Sequence, residues 1–398
     1  MPFAFQNKTI QTIEDIDVAD KIVFFRADLN TPLENGVVSN DTRITEILPT
    51  LKYLLEKNAR VVLASHLGRP EGKPNPKYSL MPVADRLSEM LSRDIIFTDD
   101  CIGDGVKKLL QNPNNKLILL ENLRFHPGEE TNDPDFAQEL AKSIQVYVCD
   151  AFGTLHRDHA SITGITKFVP VKAVGFLVQK ELQHLLPLIS QPKRPYAVVL
   201  GGAKISDKIK VVEQLLKKVD RLFIGGAMAF TFLKANGIPI GTSLYEEHMI
   251  AYAKKIMNEA ESRKISIFFP RDFHIAKDIN GTSATMTDSI RIPDGWMGLD
   301  VGPKTITYFS EHLQGIKTVF WNGPMGMFEK PPFDTATTAL AKSIAKIDAT
   351  KIIGGGDSVS AVDRAGVSSE MTHISTGGGA TLKFLQDPRL KGLMTLCS

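Results

Sequence analysis

Ala-Val-Val-Leu-Gly-Gly-Ala-Lys-Ile-Ser-Asp-Lys-Ile-Lys, residues 197–210, passes from a buried strand through two glycines into a helical pattern. Tyr196 to Leu200 is a short apolar run of the kind that fills a strand covered on both faces. After Gly201 and Gly202, the residues Ile205, Ile209, Val212, Leu215, Leu216 and Val219 recur at spacings of three and four. At about 100° per residue they describe an apolar arc roughly 120° wide, with Lys208 inside the arc and Lys204 at its edge. A lysine on a core-facing stripe just after a Gly-rich strand end calls for an anion, held where a helix N-terminus already favours negative charge. The alternative is a lysine that snorkels to the surface along its aliphatic stem.

The same strand–turn–helix unit repeats outward in both directions. Apolar runs occur at Ile22–Phe25, Arg60–Ala64, Lys116–Leu120, Val146–Val148, Arg221–Ile224, Ile265–Phe269, Thr318–Trp321 and Lys351–Ile353. Helical patterns lie between them, including Pro49–Lys57 (with Pro49 suited to a first helical position), Met81–Ser92, Phe136–Ser143, Tyr245–Ser262 and Thr335–Ile347. Such alternation predicts an α/β fold with parallel sheets covered by helices, whose ligands bind beyond the C-terminal ends of the strands. At 398 residues, two domains are expected. A helix-like stretch, Gly175–Ser190, followed by Gln-Pro-Lys-Arg-Pro at 191–195, marks the join.

The strand ends differ in the two halves. In the first half they carry Arg26, Asp28 and Asn30, then His66 and Arg69, then Arg124, then Arg157, with Arg43 just ahead of a helix. Arginine offers a rigid fork of donors matched to phosphate and carboxylate oxygens, so these ends together predict a basic bowl for a small polyanion. In the second half they carry glycines: Gly201-Gly202, Gly225-Gly226, Gly323, Gly354–Gly356 and Gly377–Gly379. Glycine lets backbone N–H groups approach an anion closely, and Asp357 beside Gly355 and Gly356 is a hard oxygen ligand suited to Mg²⁺. With Lys204, Lys208, Ser358 and the turn at 321–326, this half reads as a nucleotide-phosphate site. Neither a P-loop nor a G-x-G-x-x-G fingerprint is present.

Composition narrows the classes further. A net charge of +2, with no basic run, offers nothing to nucleic acid. No apolar stretch is long enough to span a membrane and the N-terminus has no signal-peptide core, which predicts a cytoplasmic protein. Cys101, Cys149 and Cys397 lack C-x-x-C spacing, which argues against disulfide and zinc frameworks, and His126 reads as a surface or packing residue.

Taken together, these motifs resemble the phosphoglycerate kinase family through nearly the whole chain. The resemblance rests on Arg-Ala-Asp-Leu-Asn-Thr-Pro at 26–32, Ser-His-Leu-Gly-Arg-Pro at 65–70, Glu-Asn-Leu-Arg-Phe at 121–125 and Gly-Gly-Ala-Lys-Ile-Ser-Asp-Lys at 201–208. Ile-Gly-Gly-Ala-Met-Ala-Phe-Thr-Phe at 224–232, Trp-Asn-Gly-Pro-Met-Gly at 321–326 and Gly-Gly-Gly-Asp-Ser at 354–358 extend it. Departures are small, the chief one being Asp158, which sets a carboxylate beside Arg157. The resemblance implies two Rossmann-like domains: a phosphoglycerate domain at 1–172, a linking helix at 173–190 and a Mg-nucleotide domain at 191–380. A segment at 381–398 would return to the first domain. It implies reversible phosphoryl transfer between ATP and 3-phosphoglycerate, giving ADP and 1,3-bisphosphoglycerate, by a monomer with a hinge. It carries Asp28, Asn30, Arg43, His66, Arg69, Arg124 and Arg157 onto the phosphoglycerate site. Lys208, Gly298, Asn322, Glu329 and Asp357 go onto the Mg-nucleotide site, with Gly225 and Gly226 near the adenine. Arg43, Lys204 and the backbone of Gly378 are the expected catalytic groups. The nearest rival is an ATP-dependent kinase of another phosphorylated carboxylic acid; a non-catalytic nucleotide sensor would be expected to lack Lys204, Asp357 or Arg43, and all three are present.

Overall fold

In the computed structural model, which describes residues 3–5, 8–281 and 284–397, every one of the nine apolar runs forms a strand. The chain divides into two compact units, residues 1–183 with 389–398, and residues 184–388. The division falls inside the helix Phe176–Ile189, which runs through Pro187, and the helix Gly379–Gln386 stays with the second unit.

The first unit is built on a six-stranded parallel sheet ordered Val171–Val174, Val146–Asp150, Ile22–Ala27, Arg60–Ala64, Leu117–Leu119, Ile96–Phe97. Ile22–Ala27 is buried at every position, as a strand covered on both faces must be. The chain winds from it toward one edge through Arg60–Ala64, then returns past it to Val146–Asp150, so the order reverses beside Ile22–Ala27. Loops diverge at such a reversal and leave a crevice at the strand C-termini. Arg43 lies within the first turn of the helix Thr42–Glu56, which begins earlier than the pattern suggests. Pro49 is therefore interior to that helix and not at its first position. It sits on the exposed face, where the missing backbone donor is tolerated at a moderate cost.

The second unit has its own six-stranded parallel sheet, ordered Ser266–Phe268, Arg221–Ile224, Tyr196–Leu200, Thr318–Asn322, Thr350–Gly354, His373–Ile374. Numbered along the chain this is 3-2-1-4-5-6, the doubly wound Rossmann order, with its switch point between Tyr196–Leu200 and Thr318–Asn322. A three-stranded antiparallel sheet, Phe273–Ala276 with Thr285–Met286 and Met297–Val301, is added to it. Its strands lack the apolar runs that reveal nine of the parallel strands, as do the edge strands Ile96–Phe97, Val171–Val174 and His373–Ile374. The aromatic residues Phe223, Phe268, Phe273 and Phe309 fill the core between these layers.

One buried charge in the first unit has a measurable consequence. Asp150 ends the strand Val146–Asp150 fully buried, where its carboxylate accepts from Val178 N and Thr50 Oγ1 at 2.9 and 2.6 Å. Thr50 Oγ1 in turn accepts from Phe176 N, so the pair satisfies the N-terminus of the helix Phe176–Ile189. Burial outweighs these hydrogen bonds and pushes the Asp150 carboxyl up to about 7. The folded state therefore holds a proton that the unfolded chain has released, and stability from this group falls as pH rises from about 4 to 7. Asp150→Asn is expected to remove up to about 1.4 kcal/mol per pH unit from that slope. Urea unfolding of both proteins at intervals across the window checks it, and parallel curves would show that Asp150 titrates normally.

Candidate functional site

In the first unit the strand ends bring the expected residues together on a built polar floor. Arg26 is almost fully buried: Nε donates to Ser161 Oγ at 2.8 Å, Nη1 donates to Ala27 O, and Nη2 lies 3.4 Å from His66 Nδ1. Ser161 Oγ donates to the buried Glu129 at 2.7 Å, and Tyr147 Oη donates to Ser161 O. Arg26 is thus a strut beneath the bowl. Its charge is compensated locally, which is why it can sit in the core. Neither Glu129 nor Ser161 is marked by any sequence pattern; only the fold reveals them.

Above this floor, Arg43 pairs with Asp28, a carboxylate at the edge of burial. Burial alone would raise Asp28, but Arg43, His66 and Arg26 together hold it below the ordinary carboxylate value. His66 is buried, and desolvation drives it well below its usual value. Arg26, Arg124 and Arg157 reinforce the shift and Asp28 opposes it. That four charged groups act on one imidazole shows how closely they converge. Arg124 donates to Gly68 O at 2.6 Å and lies 3.2 Å from Glu130. Asn30 Oδ1 accepts from Gly68 N at 2.9 Å, so its amide also positions the loop that carries Arg69. Arg69 is exposed. Arg157 keeps a buried Nε with no hydrogen-bond partner among the described residues. Asp158 does not pair with Arg157. It pairs with Lys391 at 2.8 Å and accepts from Asn132 and Thr163.

In the second unit, the glycines let three strand ends close on one another. Gly202 N donates to Pro324 O, Gly225 N to Leu200 O, and Gly226 N to Met325 O, at 2.8–3.0 Å. A Cβ on Gly225 would run into Met325 Sδ, and one on Gly355 would lie 2.7 Å from Asn322 Nδ2. Two neighbouring cavities result. The first, about 270 Å³, is mostly apolar and is lined by Gly226, Phe230, Gly298, Met325, Glu329 and Asp357, among others. Gly298 lies on the antiparallel sheet with its N–H donated to Ser243 Oγ, and a side chain there would strike Phe230. The second cavity, about 290 Å³, is polar and is lined by Lys204, Asp207, Lys208, Asn322, Gly355, Asp357 and Ser358. Asp357, Gly202, Ala203 and Pro324 border both.

The helix after Gly202 begins only at Ile209, with Lys208 at its N-cap position. Residues 205–208 form a turn because Glu246, distant in sequence, accepts from Ile205 N, Ser206 N and Ser206 Oγ at 2.7, 3.0 and 2.5 Å. The helical wheel therefore does not apply to Lys204, which stands exposed on the loop. Lys208 donates to Gly201 O, and burial pulls its ammonium down to about 8 against the opposing pull of Asp357 and Asp207. Asp357 is exposed in the first turn of the helix Gly356–Arg364. Gly356, beside it, is exposed with open space at its Cβ position. Ser358 is fully buried and accepts from Gly323 N at 2.6 Å, while Asn322 Nδ2 donates to Gly354 O. Both shape the wall as much as they face the cavity. Gly378 precedes the helix Gly379–Gln386 with φ of 53°, and it lines neither cavity.

A doubly wound unit with a lysine-bearing polar cavity at its switch point, together with a unit whose strand ends gather arginines, defines a phosphoryl-transferring enzyme of the kinase class. The sequence model of the phosphoglycerate kinase family matches residues 13–388. The phosphoglycerate kinase of Anaeromyxobacter dehalogenans strain 2CP-C is 50% identical over 389 residues, covering 96% of this chain and 98% of its own. The cytosolic phosphoglycerate kinase of Triticum aestivum is 48% identical over 98% of both chains. The structure of the phosphoglycerate kinase of Coxiella burnetii superposes with a TM-score of 0.88 at 36% identity, covering 97% of this chain and 98% of that one. The chain belongs to the phosphoglycerate kinase family, and so is a kinase of glycolysis.

Proposed function

We propose that the first unit binds 3-phosphoglycerate on Asp28, Asn30, Arg43, His66, Arg69, Arg124 and Arg157. The second binds ATP or ADP on Lys208, Gly226, Gly298, Glu329, Asp357 and the surrounding walls. The observation that carries the first assignment is the buried, unpartnered Nε of Arg157 amid convergent arginines, since an anion would supply the missing acceptor. The apolar cavity has the size and lining suited to a base, and the polar one beside it suits phosphates. Lys208 supports this reading, because an anion next to it restores a charge that burial weakens.

No general base is needed. The attacking carboxylate has an ordinary pKa of about 4 and is ionised at neutral pH. The enzyme's task is to align the reacting atoms and to neutralise charge that spreads over the transferring oxygens. Arg43 and Lys204 carry that charge in this reading, helped by the backbone at Gly378. With one substrate on each unit, reaction at roughly 3–3.5 Å requires closure about a hinge, near 170–178 or 186–195. Asp357 fits the part of Mg²⁺ ligand: it is an exposed hard oxygen donor bordering both cavities, and Mg²⁺ commonly takes one or two carboxylates plus substrate phosphates. The ion would screen the phosphate charge. Asp357→Ala is expected to raise the Mg²⁺ concentration needed for half-maximal activity at least about tenfold; an unaltered Mg²⁺ titration would remove Asp357 from the metal.

The protein is read as a cytoplasmic monomer. Among the described residues no helix is long and apolar enough to cross a membrane, and the wheat relative is cytosolic. The decisive test of substrate is a coupled assay of ATP consumption with 3-phosphoglycerate and with other phosphorylated acids. Turnover should be confined to, or strongly favour, 3-phosphoglycerate. Preference for another acid would move the assignment to a related carboxylate kinase.

A further inference from the structure

Three donors that are remote from the phosphoglycerate arginines in chemistry converge in the first unit. Asp100, Cys101 and His126 each present one ligand atom, and the three atoms lie within 4.8 Å of one another. His126 Nε2 is 2.5 Å from Asp100 Oδ1, and Cys101 Sγ donates to Glu121 O at 2.9 Å. Stacking on Phe136, with ring centroids 4.8 Å apart, fixes the imidazole plane. All three residues line one cavity of about 540 Å³, which leaves room for a solvent ligand. We propose that this cluster is a binding site for a borderline-soft divalent cation of the Zn²⁺ type.

The chemistry follows from the donor set. One thiolate, one imidazole and one carboxylate suit Zn²⁺ and exclude Mg²⁺ and Ca²⁺, which prefer oxygen alone. Three protein donors beside a cavity with room for water match the ligand count of a Zn²⁺ site that keeps its fourth position for solvent. Binding replaces the Sγ–H bond by an Sγ–metal bond, and the proton leaves to solvent, so affinity rises with pH. The Asp100–His126 contact opens to admit the ion between them. Because His126 follows directly on the Leu123–Phe125 turn, the bound cation pins the turn that carries Arg124 to the segment at Cys101.

The test uses the full-length reduced protein freed of metal and titrated with Co²⁺, whose thiolate charge-transfer absorption reports sulfur coordination, and then with Zn²⁺ in competition. One equivalent with that absorption is expected, persisting in Cys397→Ser and lost in Cys101→Ser. His126→Gln and Asp100→Asn, which alter more accessible side chains, should weaken Zn²⁺ at least about tenfold even if Cys101→Ser folds poorly. No charge-transfer absorption, or absorption indifferent to His126→Gln and Asp100→Asn, would reduce the cluster to a hydrogen bond beside a packed thiol and overturn the proposal.

Discussion

Arg43→Ala is expected to lower kcat by roughly 10²–10³ while the KM for 3-phosphoglycerate changes far less. The guanidinium rests against Asp28, so it is held in the bowl at no expense of freedom when substrate arrives. In the proposed site Arg43 shares ground-state binding with Arg69, Arg124 and Arg157, so its loss there is partly covered by them. It acts most where charge develops during transfer. Removing it also strips Asp28 of its strongest favourable partner, so the Asp28 carboxyl should rise and could disturb the bowl on its own account. Two further variants separate these effects. Arg43→Lys keeps the charge but loses the planar fork, and should recover only part of kcat. Arg43→Ala combined with Asp28→Asn removes the stranded carboxylate, and should leave kcat low if the missing cation is the cause. Steady-state kinetics in both substrates decides the matter. A large rise in KM at unchanged kcat would reassign Arg43 to holding the ground state.

Gly226→Ala should do the greatest damage to the nucleotide unit. Gly226 has φ of 63°, a region that L residues enter at a cost of about 1–3 kcal/mol. A Cβ there would also meet backbone on two sides, lying 2.6 Å from Gly202 O and 2.9 Å from Pro324 O. Backbone cannot swing aside as a side chain does, so overpacking adds a further cost of about 1–3 kcal/mol. The displaced atoms belong to Gly202 and Pro324, which border both cavities. ATP binding should therefore weaken together with stability. Gly237→Ala is the natural comparison, because Gly237 also has positive φ (72°) but a Cβ there meets nothing within 4 Å, and it borders neither cavity. Unfolding in urea and nucleotide titration of both variants separates crowding from backbone strain. Equal destabilisation would show that the strand ends adjust more readily than their packing implies.

Nine of the twelve parallel strands described were legible because each is an apolar run set off by glycine or polar residues, as burial on both faces demands. The edge strands Ile96–Phe97, Val171–Val174 and His373–Ile374, which are shorter or interrupted by Lys172 and His373, were not. The antiparallel sheet Phe273–Ala276, Thr285–Met286, Met297–Val301 was not legible. Its strands are short, and what holds them is pairing with one another and packing against Phe230, contacts that no local period reports. That sheet supplies Gly298 to the apolar cavity, so a whole wall of the site depended on tertiary contact. Lys208 was legible as a lysine without a solvent excuse. The helix that made it so, however, starts at Ile209, because Glu246 captures the N–H groups of Ile205 and Ser206.

By itself, the sequence determined the α/β class, the two-part division of chemistry and the arginine-bearing and glycine-bearing strand ends, since these follow from local composition and period. Tertiary structure decided which groups share a charge environment. Arg26 became a buried strut through Ser161 and Glu129, Asp28 was claimed by Arg43, and Asp158 was drawn to Lys391, more than two hundred residues away in sequence. It also set His126 beside Asp100 and Cys101, residues whose spacing announced no site. Hydrogen bonds and ion pairs act over a few ångströms in space, and only folding fixes which residues fall within that reach.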